Sequence, residues 1–230
     1  MFNPGLLFAF YAGATATFAL STLGARLIFK RRPGEAVAIG FGSLFSNSVI
    51  LGLPIVERAY GAEALALAFA IVAIHAPYCY ALGITVMEGS RADGRTASET
   101  TVRVVKAMFR NALMIGIMLG FAANLSAVHL PAAVTDAIDL VVSSALPAAL
   151  FGVGGVLTRY AIGNNLGETA MTCFLSLVVH PSLVLVLAWG VFDLPLPFVQ
   201  AAVVTASMAP GINTYLFANM YGRAVGTAAS

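Results

Sequence analysis

Hydrophobic positions in this chain gather into long runs, and polar positions gather at their borders. Seven runs approach the length that crosses a bilayer, roughly 20 residues. They cover Leu6 to Ile28, Ala36 to Val56, Ala64 to Met87, Ala112 to Leu125, Ala137 to Leu157, Ala170 to Val191 and Phe198 to Met220. Charged, Pro or Gly residues mark their ends, as in K-R-R-P-G-E after the first run. The reading is an all-α polytopic membrane protein of about seven transmembrane helices. The fourth run is short and could begin near Val104, with its basic residues at the interface.

Two runs are interrupted by residues that do not suit a spanning helix. The second carries S-N-S-V-I-L-G-L-P, from Ser46 to Pro54, and the seventh carries S-M-A-P-G-I-N-T-Y, from Ser207 to Tyr215. Each is followed by an aromatic-glycine ending, R-A-Y-G up to Gly61 and N-M-Y-G up to Gly222. Proline removes a backbone donor and clashes with the carbonyl one turn back. Pro and Gly alone are ordinary in membrane helices. Two matched interruptions, each with Asn, Gly and Pro, point instead to a transporter site at a repeat interface. A break frees backbone polar groups in the membrane, which is tolerated where they face protein or a water-filled cavity. The start of a half-helix also carries partial positive charge suited to a carboxylate.

Composition narrows the class. The 230 residues are 60% hydrophobic and 10% charged, against about 25% charged in soluble domains. Mean hydropathy is +0.91, which excludes an ordinary soluble fold. A net charge of +2 gives no reason to expect nucleic acid. Cys79 and Cys173 lie in apolar runs without Cys-x-x-Cys spacing and read as small buried side chains. Met1 is followed by F-N-P-G with no basic start, so no secretory leader is read there.

Charge also orients the chain. If the end of the first run is cytoplasmic, so are Arg26, Lys30, Arg31, Arg32, Arg91, Arg95, Arg103, Lys106, Arg110, Arg159 and Arg223. Of the twelve Lys and Arg residues only Arg58 falls outside. The positive-inside rule selects this arrangement: N-terminus outside, C-terminus cytoplasmic, and Glu88 to Arg110 as the main cytoplasmic loop. The expected location is the cell inner (plasma) membrane.

The run N-S-V-I-L-G-L-P-I-V-E-R-A-Y-G resembles the first crossover helix of the auxin efflux carrier family, in its bacterial permease branch. A-F-A-I-V-A-I-H-A-P-Y (Ala68 to Tyr78) resembles the helix after it, and R-N-A-L-M-I-G-I-M-L-G (Arg110 to Gly120) the start of the second half. S-M-A-P-G-I-N-T-Y-L-F-A-N-M-Y-G resembles the second crossover. The resemblance spans nearly the whole chain; the crossover motifs are its specific part. It implies a ten-helix inverted-repeat transporter with a scaffold and a mobile transport part, the substrate sitting where two broken crossovers meet. The seven runs then correspond to helices three to nine, and the chain reads as a fragment without the first two helices and the last. The implied division is 1–90 for transport-core helices including crossover 36–60, and 91–110 for the cytoplasmic loop. Residues 111–160 are scaffold, and 161–230 an incomplete second transport part including crossover 198–222.

Carried over residue by residue, Asn47 and Pro54 take the polar and breaking positions of the first crossover, and Pro210 and Asn213 those of the second. Ser46, Ser48, Gly52, Gly211 and Thr214 are near enough to line the same cavity. Hydroxyls and amides can both donate and accept. The function implied is a secondary transporter of a small organic anion, such as a malonate- or malate-like dicarboxylate. The alternatives are a truncated, inactive or partner-binding membrane fragment, and an intramembrane enzyme. The enzyme is disfavoured by the lack of H-E-x-x-H or G-x-S-x-G, and no P-loop supports ATP drive. No catalytic residue, cofactor or metal is expected. The expected partners are the anion, the lipid bilayer and a second copy held through scaffold helices.

Three histidines remain. His75, deep in the third run, is a candidate for proton coupling, because an intramembrane ionisable residue is a functional hypothesis by default; the alternative is a neutral His bonded to a neighbouring helix. His180 precedes Pro181 and reads as packing beside a kink. His129 falls in an external link. Asp136 suits a helix start, and Asp139 could be the same.

Overall fold

A computed structural model describes residues 3–90, 97–110, 112–126, 130–157 and 165–229. Among them every named element is a helix. Helix α1 (Pro4–Leu27) starts where Asn3 accepts hydrogen bonds from the N–H groups of Gly5 and Leu6, at 2.8 and 3.2 Å. Pro4 takes the first helical position, where its missing N–H costs nothing. Helix α2 (Pro33–Leu44) begins the same way, with Glu35 accepting from the Arg32 N–H at 3.2 Å.

The second run is therefore not one helix. α2 stops at Leu44, an extended segment follows, and a π-helical turn (Ser48–Gly52) leads into α3 (Leu53–Ser90). α3 is itself divided at Gly61, whose φ of 79° and ψ of −174° suit only glycine. Glu63–Ser90 is the spanning part. Helix α4 (Ala97–Arg110) occupies most of the stretch read from sequence as a loop, followed by α5 (Ala112–Leu125) and α6 (Ala132–Leu157). α6 begins one turn earlier than expected, so Asp136 lies beyond its first turn, and the helix-start role assigned to it fails.

The sixth run forms a rod from Leu166 to Val191. It comprises α7 (Leu166–Phe174), a π stretch (Leu175–Val179), α8 (His180–Leu185) and a second π stretch (Val186–Val191). The His180 N–H reaches back five residues to the Leu175 carbonyl. This wider turn takes up the proline at 181 without ending the rod. The seventh run divides into α9 (Leu196–Ala206) and α10 (Ile212–Tyr221), and α11 (Val225–Ala229) follows. Gly222, at φ 61°, ends α10 in the left-handed conformation, and the Arg223 N–H returns to the Ala218 carbonyl at 3.0 Å.

Three described helices are long and apolar enough to cross a membrane: Pro4–Leu27, Glu63–Ser90 and Leu166–Val191. With the apolar α5, α6 and α9, the protein is an all-helical, polytopic membrane protein. The main core joins α1, α2, α3 and α10 around Phe18, Val37, Phe41, Leu44, Tyr80 and Phe217. A second joins α1, α3, α8 and α9 around Leu6, Phe10, Ile71 and Val184. α5 and α6 present Leu119, Leu125, Leu140 and Phe151 outward.

One end of the bundle is basic. Arg31 of the α1–α2 link donates to Glu168 in the first turn of α7 at 2.6–2.7 Å and also bonds the Asn165 side chain. Gly34 lies against Met87 at the end of α3 and Arg223 after α10. The ends of α1, α3 and α10 and the starts of α2 and α7 thus share one end of the molecule.

Candidate functional site

The end of α2 determines what the first break must solve. The last carbonyls of a helix have no intrahelical partner, and in a membrane water does not supply one. Here donors from other segments do. Thr17 of α1 donates to the Ser43 carbonyl at 3.1 Å, and the Cys79 thiol of α3 to the Leu44 carbonyl at 3.8 Å. The Gly211 N–H reaches the Phe45 carbonyl at 3.4 Å. The Ser46 carbonyl accepts from the Ser48 N–H at 2.8 Å and from His75 Nε2 at 3.2 Å. Four successive carbonyls are satisfied by α1, α3 and the second interrupted segment.

The second break answers the first directly. Ser46 and Pro210 form an antiparallel bridge, closed by Asn47 N–H to Ala209 carbonyl at 2.9 Å and by the Gly211 bond above. In this pattern the N–H of residue 210 is not used. Proline therefore costs no ladder bond there. Gly211 makes the closest approach: a Cβ there would sit 3.3 Å from Asn47 Cβ and 3.4 Å from its Cγ, so any side chain would move Asn47 by a few tenths of an ångström. The two interruptions cross at Ser46–Asn47 and Pro210–Gly211.

An aromatic bed lies under the crossing. Phe41 of α2 and Phe217 of α10 stack with centroids 3.9 Å apart and planes 6° from parallel. Tyr80 packs edge-on to both, at 5.4 and 6.2 Å. Its hydroxyl donates to Asn213 Oδ1 at 3.0 Å. That bond uses the acceptor side of the amide and leaves the Nδ2 group as the donor. Asn213 also occupies the first turn of α10, where the Thr214 N–H bonds the Gly211 carbonyl at 3.0 Å and the N–H groups of Ile212 and Asn213 lack intrahelical acceptors. Thr214 Oγ1, in the same turn, is buried with no partner among the described residues. The arrangement offers donors rather than cations.

Most of the residues singled out from sequence meet here, though not all in the expected part. Asn47, Pro210, Gly211, Asn213 and Thr214 surround the crossing. Ser46 and Ser48 are buried and bond each other through their hydroxyls at 2.8 Å, so they complete the break. Gly52 is buried where the π turn meets the end of α9, its Cβ position at an ordinary contact distance of 3.5 Å from Met208. Pro54 departs from expectation: the chain leaves helical geometry at Phe45 to Asn47, before it. Pro54 lies exposed just after the π turn, where the Leu53 N–H reaches back five residues to the Ser48 carbonyl, the same wide turn that takes up Pro181; it is not the breaking residue.

His75 caps the Ser46 carbonyl from within a ring of Phe10, Phe45 and Tyr11. His180 is fully buried, with Nε2 3.4 Å from the Phe10 carbonyl. His129 lies outside the described residues. Cys79 is buried as expected and also caps a carbonyl; Cys173 is half-buried, and both are free thiols. Thr17, Cys79, Tyr80 and the Phe41–Phe217 pair were missed in the sequence. A signal existed for one of them: Cys79 follows His75 by four residues, which places both on one face of the helix.

A family model described as membrane transport protein matches residues 1–230. No curated protein matches the chain.

Proposed function

Because the chain belongs to the membrane transport protein family, that of the auxin efflux carriers, we propose that it is a secondary transporter for a small organic anion. The family is one of membrane transporters, not of enzymes, and implies a small-molecule substrate and a multi-pass protein embedded in the bilayer. The proposal adds a site, a substrate class and a mechanism. The substrate is a malonate- or malate-like dicarboxylate held at the crossing of the two broken helices. The observation that supports this reading most is the Ser46–Pro210 bridge, which pairs the segment holding Asn47 with the segment that leads into Asn213 at the start of α10. Amide donors with no bonded partner among the described residues, together with the start of α10, favour a carboxylate over a cation. Transport proceeds by alternating access, the crossing moving as a unit against α5 and α6. His75 serves this cycle first as a cap; proton coupling through it is the alternative role, and its test is given below. The protein sits in the inner (plasma) membrane with its basic end cytoplasmic, and a second copy packs along the outward faces of α5 and α6.

The test is uptake of radiolabelled malonate and malate into proteoliposomes. Asn47→Ala and Asn213→Ala are each expected to lower uptake at least tenfold while leaving the protein folded. Unchanged uptake in both variants would remove the crossing as the site.

A further inference from the structure

The part of the chain that sequence reading left as a loop contains α4, and α4 has a use of its own. Val102, Val105 and Phe109 recur at helical spacing and are 63%, 47% and 61% exposed. Around the helix axis they fall within about 60° of one another, at 100° per residue. Lys106 and Arg110 are exposed on the adjoining strip. Residues 91–110 carry five Lys or Arg against Asp93 and Glu99. α4 follows α3, whose last turn lies at the basic end of the molecule beside Gly34. A helix with one apolar stripe, a cationic strip along its edge and low overall hydrophobicity suits the plane between headgroups and acyl chains. Four to eight basic residues beside a spanning helix attract anionic lipid.

We propose that α4 is an interfacial helix: Val102, Val105 and Phe109 enter the acyl boundary of the leaflet, and Lys106 and Arg110 bind anionic phospholipid headgroups. The lipid surface is favoured over a protein partner because the apolar stripe and the cationic strip adjoin along the helix. That places both at one depth beside the end of a spanning helix. The helix then anchors the link between the two halves of the chain at a fixed depth, and the anionic lipid content of the leaflet sets how firmly.

The experiment uses the whole protein in nanodiscs, with Trp189→Phe and Phe109→Trp providing a single fluorophore. Discs contain phosphatidylcholine alone or with a third phosphatidylglycerol, and lipids brominated near the headgroup end of the acyl chain serve as quencher. The expected result is a blue-shifted emission quenched by the shallow bromines. Quenching should be at least twofold stronger with phosphatidylglycerol, and Lys106→Glu with Arg110→Glu should abolish that increase. Emission typical of water, or blue-shifted emission that the bromines do not quench, would overturn the proposal; the latter would mean that protein covers the stripe. Equal quenching in both lipids would overturn the anionic-lipid assignment. All substitutions are at exposed positions, and wild-type malonate binding in the same discs reports on folding.

Discussion

His75 illustrates how a single residue changes meaning once its neighbours are known. A histidine in an apolar run reads as a candidate proton carrier, and sequence offers nothing to decide otherwise. In the fold its Nε2 points at the Ser46 carbonyl and three aromatic rings enclose it. A carbonyl can only accept, so Nε2 holds the proton and the neutral ring suffices. This yields an outcome that separates the two roles. His75→Gln places an amide donor near the same position and is expected to retain uptake and its pH profile. His75→Ala weakens a buried cap and is expected to lower stability by about 1–3 kcal/mol, seen as a lower unfolding temperature in detergent. Loss of the pH dependence in the Gln variant would restore proton coupling. Asn47 and Asn213 were legible for a different reason: an amide in a spanning run has few uses besides packing and recognition. Tyr80 was not legible, because its role depends on Asn213, 133 residues away.

At the scale of elements, the two interruptions are built by different means. The second break uses proline at the crossing, where its N–H is not needed. The first uses no proline at the crossing; Ser46 and Ser48 turn the backbone and borrowed donors fill the vacated carbonyls. Reading Pro54 as the breaking residue failed because proline marks where a donor is missing, not where the chain turns. The closeness of the half-helices depends on small residues such as Gly42. A Cβ at Gly42 would lie 2.8 Å from Thr172 Cγ2 and 3.2 Å from Thr214 Cγ2. Gly42→Val must therefore push α7 or α10 away from α2. It is expected to lower stability by about 1–3 kcal/mol, as overpacking does, and to reduce malonate uptake. A thermal-shift assay beside the uptake assay checks both. Long apolar runs were easy to place, since hydropathy marks them. α4 escaped because its apolar residues are spaced around a polar helix and do not form a run.

On the scale of the whole molecule, the basic end gathers segments from both ends of the chain. Arg31 and Glu168, 137 residues apart, tie the α1–α2 link to the start of α7. Glu168 is 9% exposed in its side chain and Arg31 31%, so solvent screens the pair only in part. Glu168→Ala is expected to cost about 1–2 kcal/mol, given a charge-assisted bond discounted for that exposure, measured as a lower unfolding temperature that high salt no longer shifts. Charge had put Arg31 among the residues expected on the cytoplasmic side; its contact with Glu168 could not be read, because no local pattern pairs them. The crossing is the central claim at this scale, since it joins segments about 160 residues apart into one site. The most direct measurement is oxidative cross-linking of Asn47→Cys with Gly211→Cys in the membrane-embedded protein, beside each single variant, which keeps the native Cys79 and Cys173. A Cβ at 211 lies 3.3 Å from Asn47 Cβ, close to disulfide spacing of about 3.5–4.5 Å. The account predicts rapid, near-complete cross-linking of residue 47 to residue 211 in the double variant and none in either single variant. A double variant that does not cross-link, or that links no faster than the single variants, would contradict it.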